Sequence, residues 1–126
     1  IKNSFRLSNA KSVGFNGVMF SPLEDDWLAK QSYNNALSPE SLMLYSSVCG
    51  CGIDMVPLPG DIFVETISCL ICDVINLSQR HNKPLGVRVL PIPGKSSNEK
   101  TSFNHDFLSD MKILNIRDSI LPNLDF

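Results

Sequence analysis

The amino-acid sequence predicts an α/β fold, one portion of a parallel sheet with its crossover helices. Two observations carry this. Phe63, Ile67, Leu70, Ile71, Val74 and Leu77 recur at three- and four-residue spacing, a long amphipathic helix set between extended segments. The order of elements along the chain (helix, strand, helix, helix, loop, long helix, strand, loop, strand) is also that of β-α-β crossovers. About three or four strands are few for a closed barrel, and a parallel sheet needs helices on both faces. Residues 1–126 therefore read as a single segment, the carboxy-terminal part of a larger α/β domain. A first residue of Ile1 rather than Met fits that expectation.

Ile1 to Val13 is weakly patterned and is expected to be a surface helix. Gly14 to Phe20 reads as a short extended run entering a turn. Ser21-Pro22-Leu23-Glu24 has the form of a helix start, with Ser21 as cap, Pro22 in the first helical position and Glu24 closing a capping box. Glu24, Asp25 and Asp26 suit the positive end of that helix, expected to reach Asn35. Ser38-Pro39-Glu40 begins a second helix that ends near Cys49-Gly50. Next comes Cys49 to Asp61, rich in Gly, Pro and Cys and expected to be a stiff loop. Asp61 is placed to cap the long helix, Ile62 to His81, which Asn82-Lys83-Pro84 ends. Leu85 to Ile92 reads as a strand, Lys95 to Asp106 as a polar loop, and Lys112 to Ile116 as a second short strand.

Composition narrows the function. Hydrophobic residues make up 43% and charged residues 19%, with a formal net charge of −2, a globular balance without a cationic face. Nucleic-acid binding is not expected. The apolar region Ile62 to Leu77 is broken by Glu65, Ser68, Asp73 and Asn76, short of the roughly 20 apolar residues a spanning helix needs, so no membrane role is expected. No basic-then-apolar leader is visible. Cys49, Cys51, Cys69 and Cys72 are accordingly read as reduced thiols of a cytoplasmic protein.

The segment from Cys49 to Asp61 is the chief candidate for chemistry. Gly50, Gly52 and Gly60 open backbone conformations closed to other residues, Pro57 and Pro59 stiffen the chain, and a thiol lies near two carboxylates, Asp54 and Asp61. The plain alternative is that the glycines end a helix, the prolines make a turn and Asp61 only caps. A phosphate cradle does not match, because the G-x-G-x-x-G spacing fails and no G-K-[ST] follows. The C-x-C and C-x-x-C pairs could hold zinc by spacing. Cys69 and Cys72, however, lie in mid-helix, where thiols behave as small apolar side chains. No metal is assigned. His81 and His105 read as structural or solvated.

Gly14-Phe15-Asn16-Gly17-Val18-Met19-Phe20, then Leu23-Glu24-Asp25, resembles one segment of the domain-of-unknown-function family 711, also called uncharacterised protein family 0210. Leu44-Tyr45-Ser46-Ser47-Val48-Cys49-Gly50, Gly52-Ile53-Asp54 and Val56-Pro57-Leu58-Pro59-Gly60-Asp61 resemble its most distinctive signature. Asp73-Val74, Asn82-Lys83-Pro84-Leu85 and Pro91-Ile92-Pro93-Gly94-Lys95 continue the match. The resemblance implies a unit of a pyruvate formate-lyase-like α/β barrel, with much of the fold upstream of this chain. By analogy the segment bearing Cys49 takes the place of the central loop of those enzymes. Arg88-Val89 is followed by Leu90-Pro91, so the glycyl-radical motif of such enzymes is absent from the tail. The resemblance brings no substrate and no cofactor. It leaves an enzyme on a small polar metabolite, with Cys49 as thiol, Asp54 as proton acceptor or metal ligand, and Asn16 and Glu24 as second-segment contributors. Beside it stand a non-enzymatic ligand-sensing or assembly module and an inactive gene fragment, whose open sheet edges favour self-association into a homo-oligomer.

Overall fold

The computed structural model describes residues 7–11, 13, 18–48 and 51–116. The expected helix over Ile1 to Val13 and the run Gly14 to Phe20 fall partly outside these residues. Asn16, Cys49, Gly50 and the tail beyond residue 116 fall wholly outside them. Among the described residues the chain forms α1 (Asp26–Tyr33), α2 (Pro39–Val48), β1 (Gly52–Pro59), α3 (Val64–Arg80) and β2 (Gly86–Ile92). The architecture is mixed α/β: β1 and β2 pair in parallel, with α3 as the crossover between them.

The helices begin where side chains satisfy their free N–H groups, though not always where expected. Asp25, not Ser21, caps α1, its Oδ1 accepting from Leu28 N–H at 2.8 Å. Ser21 and Pro22 instead enter a turn, closed by Glu24 N–H donating to the Ser21 carbonyl at 3.1 Å. The turn drives Leu23 wholly into the core and leaves Glu24 outside the helix. Ser38 caps α2 as expected. Its Oγ accepts from Ser41 N–H at 3.2 Å, while Ser41 Oγ accepts from Ser38 N–H at 2.9 Å. Asp61 does not cap α3; Phe63 holds that position and makes no side-chain capping bond.

The stretch expected to be a loop is mostly strand β1. Ile53, Val56 and Leu58 are at most 2% exposed and supply its core face. Among the described residues β1 pairs with β2 alone, and a strand at a sheet edge tolerates proline. The ladder runs from Gly52 opposite Gly86 to Pro59 opposite Ile92. It is irregular between Ile53 and Val56, where Asp54 and Met55 together oppose Arg88, a β-bulge. The bulge also explains the burial. Alternation alone would turn Ile53 and Val56 to opposite faces; one extra residue returns both to the core.

Residues 95–116 form no second strand. Lys112 makes a single bridge to Lys100, because Met111, Ile113 and Leu114 are all buried rather than alternating. This strap crosses the end of the core and ties distant elements. Ser109 N–H donates to the Leu23 carbonyl (2.7 Å), Lys112 N–H to Ser32 Oγ (2.9 Å) and Leu114 N–H to the Pro57 carbonyl (3.2 Å). The core gathers Leu23, Leu28, Leu42, Val56, Leu58, Leu70, Val74 and Met111 from every element but β2, whose Val87, Val89 and Leu90 pack at its margin. Each fully buried aliphatic side chain contributes about 1.5–3 kcal/mol. On α3 only Leu70 and Val74 are buried; Phe63 and Ile71, expected inside, are exposed. Cys69 and Cys72 are exposed as well, not small core residues.

Candidate functional site

The bulge sets the site. Met55 has φ 47°, the left-handed region that a residue with a side chain enters at a cost of about 1–2 kcal/mol. Such strain persists only where the surroundings enforce it. Here it accompanies Asp54, whose side chain is 12% exposed and faces Arg88 on the neighbouring strand. Arg88 Nε donates to Asp54 Oδ1, and Nη2 donates to Oδ2 at 3.0 Å, a bidentate pair. Arg88 Nη2 also lies 3.5 Å from Glu24 Oε1. Glu24 is free to reach it because Asp25, not Ser21, starts α1.

The Asp54 hydrogen bond, with the charges of Asp54 and Glu24, raises the Arg88 pKa above the ordinary guanidinium range against a smaller opposing effect of desolvation. A raised cationic pKa adds stability below the unfolded value, lost only as pH climbs through the folded one. Arg88 therefore stays charged throughout the neutral range.

A cleft of about 340 Å³ opens beside this cluster. Met19, Ile53 and Val87 make its apolar wall, Cys51 and Gly86 its rim, and Asp54 and Arg88 its charged edge. Gly52, between the lining residues Cys51 and Ile53, makes the close approach of the two strands here possible. Its φ is 117°, and a Cβ there would stand 2.0 Å from the Gly86 carbonyl oxygen. The Ser46 hydroxyl lies 2.8 Å from both the Leu42 and the Gly52 carbonyls, and Lys83 Nζ donates to the Ser46 carbonyl at 2.8 Å. The end of α2, the start of β1 and the approach to β2 are thus knitted together.

Of the expected site residues, the structure brings Asp54 and Glu24 together on Arg88, with Gly52 two positions before Asp54 on the same strand. Gly60 and Asp61 lie elsewhere. Gly60 follows Asp54 by six positions along the chain, a span of at most roughly 20 Å. Asp61 borders a different hollow, with Thr66 and Ser96. Asn16, Cys49 and Gly50 lie outside the described residues, but Cys51, two positions after Cys49, is on the cleft rim. Among the described residues no three His, Cys, Asp or Glu side chains converge as metal ligands. The residue that sequence reasoning missed is Arg88. Its signal was present: a lone cation in the apolar strand Gly86–Ile92, running parallel to a strand with an inward carboxylate.

Residues 1–107 match the family model described as uncharacterised ACR (DUF711). A UPF0210 protein of Caldicellulosiruptor saccharolyticus is 33% identical over 119 residues, which cover 94% of this chain and 26% of that protein. One from Desulforudis audaxviator is 34% identical over 103 residues, covering 82% of this chain and 23% of the relative. The UPF0210 protein of Methanocaldococcus jannaschii is 32% identical over 103 residues, 82% and 22%. The chain thus spans about a quarter of the length of these relatives. No solved structure matches it.

Proposed function

The chain belongs to the uncharacterised DUF711 family, and from that premise we propose that the cleft beside Arg88 binds a small polar metabolite on which the whole protein acts as an enzyme. The observation that supports the reading is the Glu24–Arg88–Asp54 cluster, held on a cleft wall by a bulge in left-handed backbone. Non-glycine residues in that region cluster at ligand sites and clamps. In this reading the guanidinium, with donors left over from Asp54, orients the polar end of the ligand, while Met19, Ile53 and Val87 cover its apolar part. Cys49, followed by Gly50 in the family signature, is the reactive thiol, and Asn16 contributes from the second segment. The same reading takes β1–α3–β2 as one unit of a barrel similar to that of pyruvate formate-lyase, and the parallel ladder is compatible with it.

A non-enzymatic reading also has an observation in its favour. Arg88 engages both oxygens of Asp54, as a cross-strand clamp would. One experiment separates the two. In a full-length relative, positions matching Cys49, Asp54 and Arg88 become Ser, Asn and Met, and a panel of small carboxylic, amino and hydroxy acids is screened by thermal shift and turnover. The enzyme reading expects a ligand shift in the parent protein, its loss on Arg88→Met and Asp54→Asn, and loss of turnover with retained binding on Cys49→Ser. Variants that melt lower yet bind like the parent leave only the clamp.

A further inference from the structure

The helix α3 has two apolar faces, and only one is occupied. Leu70 and Val74 lie against the core at 3% and 2% exposure. Val64, Ile71 and Ile75 are exposed at 72%, 40% and 48%. At roughly 100° per residue, positions 64, 68, 71 and 75 fall on one stripe, about a quarter-turn round the helix from the buried face. Ser68, the remaining member, already donates its hydroxyl proton to the Val64 carbonyl at 2.9 Å, so it asks nothing polar of a neighbour. The polar residues Glu65, Asn76 and Arg80 lie away from both faces. A helix apolar over this much of its circumference is one packed on two sides.

The sheet makes the same demand. Parallel strands occur in sheets covered on both faces and extended by neighbours. Here β2 pairs only with β1, and among the described residues no third strand lies beside it. Its Val87, Val89 and Leu90 are only half-buried. A strand added beside β2 would bring its own covering helix alongside α3. Pro91, which has no N–H, confines such pairing to Gly86–Leu90. The relatives, about four times as long as the stretch matched here, contain the chain that could supply both elements.

We infer that the outer stripe of α3 and the free edge of β2 form a docking surface for the part of the DUF711 fold that this chain does not span, which adds a parallel strand to β2 and an apolar helix to α3. The inference is independent of the cleft and its ligand.

The test co-expresses this 126-residue chain with a tagged polypeptide comprising the Caldicellulosiruptor saccharolyticus relative without its matched quarter. That relative's own quarter serves as the positive control. The expected result is an equimolar complex in which deuterium exchange at Val87–Leu90 and along α3 slows by roughly tenfold or more. Recovery should fall by a similar factor in the pair Ile71→Glu with Ile75→Glu, and also in the milder Val64→Ser with Ile71→Ser, which keeps the helix. Asn76→Asp and Arg80→Gln on the polar side should leave recovery unchanged. No complex while the control forms one, a complex indifferent to the stripe variants, or a homodimer of this chain that protects the same amides would each overturn the inference.

Discussion

Single residues carry much of this structure. Gly52 is the clearest, because its left-handed φ and its approach to the Gly86 backbone exclude a side chain by both conformation and contact. Gly52→Ala should cost on the order of 2 kcal/mol or more. The loss should show as a lower urea midpoint, with weakened protection of the Gly86 amide that donates to the Cys51 carbonyl at 2.8 Å. Met55 is a different case. Its φ is nearly as unfavourable, yet its side chain packs against the core, so the strain is held by burial and not relieved by composition. That is also why the bulge was invisible in the sequence. A glycine at position 55 would have announced it; a methionine does not.

At the level of elements, capping decided where helices start. Reciprocal bonds between Ser38 and Ser41 fix the start of α2, and Ser38→Ala should lower stability by about 1 kcal/mol, measured as a fall in the midpoint of thermal or urea unfolding. This cap, the strand from Leu85 onward and the span of α3 were legible because each depends on neighbours in sequence. The start of α1 was misread because two local signals competed. Ser21-Pro22 has the form of a cap, but burial of Leu23 turned the chain inward and passed the role to Asp25. The strand β1 was misread as a loop because its Gly and Pro content outweighed the hidden alternation of Ile53, Val56 and Leu58, which emerges only once the bulge is counted. Within the candidate site, Asp54 and Glu24 were legible as carboxylates in two segments. The cation that joins them was not, since a pairing 34 residues apart in sequence is a product of register.

At the scale of the molecule, the described residues form a two-stranded sheet and a helix α3 with a buried stripe and an exposed apolar one. No described helix is long and apolar enough to cross a membrane. The strap deserves a separate thought. Met111, Ile113 and Leu114 are at most 4% exposed and close the core; the family model stops at residue 107, but the match to the Caldicellulosiruptor saccharolyticus relative covers 94% of the chain and includes them. A chain cut after Phe107 would keep the shared motifs and lose three buried aliphatic side chains, roughly 5 kcal/mol or more of burial. It should show no cooperative melting by circular dichroism, whereas the intact chain should. The lid on this interior therefore sits past the border of the family model yet inside the longer stretch shared with the Caldicellulosiruptor saccharolyticus relative, so closure and kinship reach the same residues there.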